Sequence, residues 1–576
     1  MFPNRKNWLV FLAILIVAAF FRIAVAHWLP NDVPEDGKTY TQIARNVLEQ
    51  HVYSHETEAP YDPSLIRVPG YPLFLATIYS IFGHTNNGAV RIVQALIDTG
   101  TCALVALLAY YWQPDEKRKR VTAIAALALA ALNPFTTIYA ATILSEVPTI
   151  FLALATCVAT TKAFRADTAE RSLKWWCVAG LLAGLGAMFR PDSVLFFAAI
   201  VLTLVITSLI RFKERWRSTV LSVAAFFVAF MLVLAPWTIR NWRVFHLFQP
   251  LAPVYAQMPD EFVPRGYMRW LKTWVTDQQY IDPFWWELNI QPMSADDLPD
   301  EAFDSEAERD RVAALLDQYN HPTRDQAANP ATSQPPSPGP SPNATPTQTP
   351  AQRKSPLAKA TPTPFNQTQK NANSNANETE ASGDENDQND NSNDQSDEKD
   401  NAEADQSDES KTEANTPVQM TPAIDAAFGA IANERITRHP LNYYVLLPAR
   451  RMHALWFNTH SDYYPFEGNL LPWSDLDHST HQNIWLPLFA ILVGIYTLLG
   501  IAGGYLLLGV PNLYARTWVL LVGLIIVSRL GLFSTVVSPE PRYLVIFFPF
   551  LATLGAIAIA RAWQRLQSSP PQQKPN

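Results

Sequence analysis

The sequence predicts a mainly α-helical protein that crosses a membrane about ten times and carries a small helical domain on one side. Three observations lead there. Long apolar runs alternate with short polar breaks along most of the chain. Basic residues collect at alternate ends of successive runs. One long polar interval holds two segments with helical periodicity. The overall composition conceals this pattern. Of 576 residues, 48% are hydrophobic and 17% charged, with a formal net charge of −8. The mean hydropathy is only −0.02. One polar tract, 323–422, accounts for the low average, because it is nearly free of large apolar side chains and holds much of the negative charge. The acidic balance therefore implies no acidic-protein or nucleic-acid partner.

The first apolar run, from Trp8 to Trp28, follows Arg5 and Lys6 and is long enough to span a hydrocarbon core of about 30 Å. It is long for the apolar region of a signal peptide, carries Arg22 and lacks a small-residue cleavage pattern, so it reads as a permanent helix. Further spans are expected near 88–112, 121–143, 147–164, 174–189, 193–211, 218–237, 484–509, 516–537 and 543–562. Cys102, Cys157 and Cys177 all fall within apolar runs and suggest neither a disulfide framework nor a metal site.

The basic residues orient these spans. Arg5 and Lys6, "KRKR" at 117–120, Lys162 to Lys174, "RFKERWR" at 211–217, Arg516 and the tail after Arg561 lie at alternate ends of successive helices. The positive-inside rule puts all of them, and both termini, in the cytoplasm, as in a multi-pass protein of the inner or plasma membrane. "PGYPLFLATIYSIFG", 69–83, is too short to span and would invert this agreement if counted. It reads as a helix lying along the outer interface.

The outer loop from Thr238 to Asn483 is long. "SEAERDRVAALLDQYN", 305–320, and "TPAIDAAFGAIANERI", 421–436, carry helical periodicity, the second with Thr-Pro at its start. Trp270, Trp274, Trp285, Trp286, Trp456 and Trp473 suggest a domain resting on the membrane surface. Between the helices the tract is first Pro/Ser/Thr-rich and then Asp/Asn/Glu-rich. Such a composition cannot bury enough apolar surface to offset chain entropy, so disorder is expected. The domain plan is then a membrane module over 1–237 with a first outer loop at 29–87, two parts of an outer domain at 238–322 and 423–483 around the tract at 323–422, and C-terminal membrane helices over 484–565.

The polar residues at span ends are sorted by side. Asp32, Glu35 and Asp36, Glu146 in "LSEVP", Arg190 and Asp192 in "FRPD", Arg240 and Asn241 in "PWTIRNW", and Glu540 and Arg542 in "PEPRYL" all fall at outer ends. This points to one extracytoplasmic site lined by several helix ends. A carboxylate there is ionised at neutral pH and can accept a proton from an attacking hydroxyl. Arginines offer paired hydrogen bonds to phosphate and can hold charge on a phosphate leaving group. Outside the cytoplasmic membrane, the activated sugar donor that fits is a polyprenyl-linked phosphate.

The stretches "DGKTYTQIARNVLEQHVYS", "RVPGYPLFLATIYSIFG", "SEVPTIFLALA", "FRPD", "APWTIRNWRVFHLFQPLAP" and "PEPRYLVIFFPF" occur in that order. Together they resemble the bacterial GT-C glycosyltransferases, relatives of the protein O-mannosyltransferases and of the aminoarabinose transferase acting on lipid A. The likeness runs over 1–320 and 420–565. It implies a GT-C architecture and transfer of a sugar from a polyprenyl-phosphate donor to a lipid, glycan or protein acceptor, with inversion. In that family an Asp in the first outer loop, four residues before a Tyr, is the catalytic base. Asp36 and Tyr40 hold those places here. The competing reading of Asp36 is an N-terminal cap of a helix over 37–50.

Glu146 and Glu540 resemble family acids near the site, with solvated or ion-paired helix ends as the alternative, and Glu35 is a further candidate acid beside Asp36; Arg542, Arg190 and Arg240 are candidates for the donor phosphate, with Tyr40, Arg67, Tyr71 and Tyr543 lining the site. For the arginines the alternative is snorkelling to the interface, and for Arg240 and Asn241 a role in orienting the outer domain. Arg450 and Arg451 are weaker candidates. No cofactor is expected and the case for a divalent metal is weak: His51 and His55 have helical i,i+4 spacing, and Asp475, Asp477, His478 and His481 lie close in sequence, but neither group matches a specific ligand pattern. The alternative function is a transporter or flippase of lipid-linked sugars, which would favour interrupted helices, midplane polar residues and internal repeats.

Overall fold

The computed structural model describes residues 5–30, 33–210, 216–259, 261–276, 280–322, 418–458, 481–538 and 540–568. Among these, nine helices are long and apolar enough to cross a membrane, and a bent pair makes a tenth span. They are α1 (Arg5–Trp28), α4 (Asn87–Trp112), the pair α5 (Lys119–Ala131) and α6 (Pro134–Ala140), α7 (Glu146–Phe164), α8 (Ala169–Phe189), α9 (Val194–Ile210), α10 (Trp216–Phe245), α15 (Leu486–Leu508), α16 (Leu513–Phe533) and α17 (Phe547–Ser568). Each expected span is present. The expected interfacial segment forms α3 (Gly70–Phe82), only 13 residues long, with Tyr71, Leu75, Ile78 and Tyr79 buried. It follows α2 (Glu35–Glu49) in the first loop.

The bend lies inside the span expected at 121–143. Helices α5 and α6 meet at 54°. Asn133 caps α6 by accepting from Phe135 N at 2.9 Å, and Pro134 at the first helical position lacks the N–H that would continue α5. The break weakens the backbone bonding of the last carbonyls of α5, with Ala130 O accepting from Asn133 N at 3.3 Å, in an apolar layer where an unpaired carbonyl is costly. Arg22 of α1 supplies the donors, reaching Ala130 O at 3.0 Å and Ala131 O at 3.2 Å. Its charge is balanced by Asp98 of α4 at 2.6 Å. The lone charge of the first span is thus spent on a helix end.

Helix α10 is 30 residues long, about 45 Å at 1.5 Å per residue, so it outruns the hydrocarbon core and carries Arg240 and Asn241 past it. Helices α7, α8, α9 and α17 pack with α4 and α16 around one apolar core that includes Trp112, Trp176, Phe226, Trp518 and Phe550. A second apolar cluster forms from α11 (Arg265–Leu271), α12 (Glu306–Asn320) and α13 (Pro422–Arg438). Ser305 and Thr421 cap the last two, accepting from Glu308 N and Ile424 N at 3.3 Å each. These helices match the two expected from periodicity. Gln419 N donates to Tyr319 O at 3.3 Å, which brings the chain on either side of the polar tract together.

The tryptophans of this cluster differ from expectation. Trp270 and Trp274 are core residues, packed edge-on against each other at 5.5 Å. Burying their large rings inside the small domain gains more apolar contact than laying them on a membrane surface. Trp285 is half-buried against the same cluster, Trp286 is exposed, and Trp456 packs on the membrane core, donating to Thr497 at 3.0 Å. Trp473 and the tract up to residue 417 lie outside the described residues.

Candidate active site

Two glycines bring the site-bearing segments into contact. A Cβ on Gly37 would stand 2.7 Å from Ile143 O, and one on Gly70 would stand 2.4 Å from Met188 O. Only hydrogen fits at either place. The first turn of α2 therefore presses on the segment leading into α7. The start of α3 presses likewise on the end of α8. Asp36 sits in that first turn of α2, Glu146 begins α7, and Arg190 follows α8. A 3₁₀ turn over Pro541–Leu544, just before α17, adds Arg542 and Tyr543.

Asp36 is the junction. Its Oδ1 accepts from Arg67 Nη2 at 2.7 Å and its Oδ2 from Arg542 Nη2 at 2.8 Å, with the carboxylate side chain still 30% exposed. It is not a helix cap: Pro34 occupies the cap position, and no side chain caps the helix. Arg542 also pairs with Glu540 through Nε, and Glu540 Oε1 accepts from Tyr543 OH and Ser538 OH at 3.0 Å each. A second group adjoins the first. Arg190 pairs with Glu146 and, at 3.2 Å, with Asp192. The ring of Tyr543 adjoins both groups, with the Arg190 guanidinium 5.3 Å and that of Arg542 5.5 Å from its centre. Tyr40, one turn after Asp36, lies edge-on to Tyr71 at 5.0 Å and holds the Arg67 guanidinium 5.8 Å from its ring centre. Tyr71 donates to Gln94 at 2.8 Å.

Burial alone would raise the Asp36 carboxyl's affinity for its proton, but Arg542 and Arg67 outweigh it and hold the group below its ordinary 3.8. Burial would weaken the proton's hold on Arg542, yet Glu540, Tyr543 and Asp36 keep it firmly charged. Asp36 is therefore an anion, and Arg542 a cation, across the neutral range. Four arginines (67, 190, 529 and 542) face four carboxylates (36, 146, 192 and 540), so the cluster is balanced in charge. One oxygen of the buried Glu146 and Nε of Arg67 have no hydrogen-bond partner among the described residues.

Residues 63–238 match the family of dolichyl-phosphate-mannose-protein mannosyltransferases. The match covers well under half of the chain and falls on its N-terminal membrane helices and the end of the first loop. No curated protein sequence matches the chain. Among solved structures it is similar to the archaeal oligosaccharyltransferase AglB from Archaeoglobus fulgidus, in complex with an inhibitory peptide and a dolichol-phosphate, at 10% identity and a TM-score of 0.43. That alignment covers 99% of this chain and 53% of the archaeal one, so the chain spans about half of that protein's length. ArnT from Cupriavidus metallidurans bound to undecaprenyl phosphate aligns at 12% identity and a TM-score of 0.34, over 99% of this chain and 82% of that one. Its apo form aligns at 14% and 0.35, over 99% and 81%. Likeness at this level carries no functional argument.

The remaining expected residues are not all gathered around Asp36. Glu35 points away and pairs with Lys38 at 2.7 Å, with 80% of its side chain exposed. Arg240 donates to Ser64 O at 2.7 Å and stands over Trp237 at 4.9 Å, so it braces the first loop and lies outside the Asp36 cluster. Arg451 is buried and donates to the carbonyls of Lys272, Val275 and Ser534, tying the outer cluster to the end of α16, whereas Arg450 is exposed. His51 and His55 do not share a helix face, because α2 ends at Glu49 and His51 adopts φ of 58°. Among the described residues no group of three or more His, Cys, Asp or Glu side chains is placed to hold a metal ion. Asp32, Asp475, Asp477 and His478 lie outside the described residues. Sequence reasoning missed Arg529, which donates to Asp192 at 2.6 Å. The signal was present: "IIVSRLGLF" places a lone charge inside an apolar span, where charge is rare unless it has work to do.

Proposed function

We propose that this protein is an integral membrane glycosyltransferase that moves a sugar from a polyprenyl-phosphate donor to the hydroxyl of an extracytoplasmic lipid, glycan or protein acceptor. One observation carries the reading: Asp36 is held between Arg67 and Arg542, from separate segments, at 2.7 and 2.8 Å. The family matched over 63–238 is described by a dolichyl-phosphate-linked mannose donor, which supports a lipid phosphate as the carrier here. The orientation follows the basic loops, with both termini cytoplasmic and the site on the opposite face of the plasma or inner membrane. The domain plan deduced from sequence, with the outer domain in two parts around the tract, belongs to the same proposal.

The chemistry follows from the ion pairs. A donor phosphate competes with Asp36 for Arg542 and Arg67, since guanidinium binds either anion through paired hydrogen bonds. Its arrival frees the carboxylate. Asp36 then accepts the proton of the acceptor hydroxyl while that oxygen attacks the anomeric carbon from the face opposite the phosphate. The anomeric C–O bond to phosphate breaks, its electron pair leaves with the phosphate, and Arg542 and Arg190 hold the charge that develops. The product is inverted at the anomeric carbon, in keeping with the family resemblance. Tyr40 and Tyr543 stand beside the arginines, Tyr71 packs behind Tyr40, and Glu146 and Glu540 fix Arg190 and Arg542.

A flippase would need polar groups free at the membrane midplane. The broken span α5–α6 and the buried Arg22–Asp98 pair have that character, but Arg22 is spent on Asp98 and on the carbonyls of Ala130 and Ala131, which closes the break within the protein. The test is transfer by the purified protein in lipid nanodiscs, offered polyprenyl-phosphate sugars and candidate envelope acceptors and followed by mass spectrometry. Sugar found on an acceptor supports the proposal. Donor that crosses a sealed vesicle bilayer without transfer would refute it.

A further inference from the structure

Helix α16 carries Arg529 one turn before its end at Phe533, and the residue is 2% exposed. A fully buried arginine in an apolar span is expensive, so its contacts should account for it. The same nitrogen, Nη2, donates to Asp192 Oδ2 at 2.6 Å and to Tyr543 O at 2.8 Å. These acceptors belong to different turns: 190–193 presents Arg190, and 541–544 presents Arg542 and Tyr543. The guanidinium lies near two rings, 5.6 Å from the centre of Phe196 and 5.2 Å from that of Phe533, which fixes its direction. Asp192 already has a cation in Arg190, so neutralising that acid does not explain the bond to Tyr543 O.

We infer that Arg529 is a positioning residue for the donor phosphate, locking the two arginine-bearing turns at the spacing the phosphate needs; this rests on the glycosyltransferase reading. Arg190 and Arg542 carry like charges beside the same tyrosine ring and would otherwise spread apart. The hydrogen bonds of Arg529 Nη2 run to the turns that carry them. Arg529 acts on their backbones, through a carboxylate on one side and a carbonyl on the other.

The experiment compares Arg529→Met, Arg529→Lys and Asp192→Asn with the parent protein in nanodiscs, varying donor and acceptor separately. Polyprenyl phosphate serves as a product inhibitor, and hydrogen exchange reports on the 536–546 segment. For Arg529→Met we expect the donor KM and the polyprenyl phosphate inhibition constant to rise about tenfold to a hundredfold, the scale of a small misplacement of binding groups. The acceptor KM should stay within about twofold, and exchange in 536–546 should speed up. Arg529→Lys should recover part of the donor affinity, because its ammonium reaches one of the two acceptors. Asp192→Asn should show the same donor-selective change in a protein of nearly unchanged size.

A fall in kcat in proportion to the folded fraction, with donor KM and exchange unchanged, would overturn the inference and leave Arg529 a plain structural residue. If Arg529→Met fails to fold, Asp192→Asn decides on the same readouts. A parent protein insensitive to polyprenyl phosphate would instead refute the donor assignment. In that case faster exchange in 536–546 still supports the lock, and unchanged exchange overturns it.

Discussion

Replacing Asp36 by Asn separates three roles that one carboxylate could play. The substitution keeps the side chain's size and one acceptor oxygen but removes the charge shared by two arginines at 2.7 and 2.8 Å. A hydrogen bond to a charged group contributes about 1.5–3 kcal/mol. Partial solvation of a side chain left 30% exposed, together with the retained acceptor and the Glu540 partner of Arg542, reduces the net cost to about 1–2 kcal/mol. The protein should remain folded and inserted. A positioned base contributes about 10²- to 10⁴-fold in rate, or about 2.7–5.4 kcal/mol of barrier, so the loss of turnover should exceed the loss of stability. Donor affinity should move the other way. With its internal competitor neutralised, the pair Arg67 and Arg542 should bind polyprenyl phosphate as tightly as before or more tightly. The assay is kcat for sugar transfer in nanodiscs, beside direct binding of polyprenyl phosphate and a thermal melt. Transfer within tenfold of the parent would refute the assignment of Asp36 as base. A parallel collapse of rate and donor binding would make it a structural clamp instead.

Other outcomes follow from the same geometry. Arg67→Met removes one of the two cations that depress Asp36. Because the pairs stabilise the protein fully above the carboxyl's ordinary 3.8 and lose effect as pH falls through its lower folded value, the acid limb of kcat/KM should move to higher pH in this variant; an unmoved limb would show that Arg67 does not tune the base. Replacing residues 325–416 by a short Gly/Ser linker should leave insertion and transfer largely intact, since Gln419 and Tyr319 already meet; loss of activity in a normally inserted protein would assign the tract a binding role. After changing the native cysteines to alanine, Ser294→Cys should react with an impermeant thiol reagent on intact cells and Asp167→Cys should not, and labelling of the latter would invert the proposed orientation.

The membrane helices were legible because a span needs only length and apolarity, and the order of basic loops added their alternation. The paired helices of the outer cluster were legible from Ser305 and Thr421, whose capping chemistry is local. The site was legible in part. Residues at span ends could be sorted to one side, and the structure brings Asp36, Arg67, Arg190, Arg542 and their acids together there. Contacts between distant segments were not readable. Nothing local distinguishes Arg240, which grips Ser64 O, from Arg542, which grips Asp36. The break at Asn133–Pro134 was written in a capping residue and a proline, yet its hydropathy is continuous, so it passed as one span. Trp270 and Trp274 were misplaced because an aromatic residue in an outer loop looks the same whether it faces lipid or a small core.

The capping of α5 by Arg22 has a consequence for how the chain is made. Arg22 precedes its carboxylate partner by 76 residues and the last carbonyl it serves by 109. At about 5–20 residues per second, Ala131 is added roughly 5–20 s after Arg22. Through that interval α1 holds a guanidinium with no mate in hydrocarbon, so it must dwell near a headgroup layer or inside the insertion machinery until α4 and α5 are synthesised. Arrested nascent chains that end before Asp98 should therefore leave α1 loosely seated, and Arg22→Leu should seat it early. Early seating in the native chain would contradict this timetable. Assembly of the bundle is in this sense scheduled by translation: the first helix becomes permanent only when the fourth and fifth arrive.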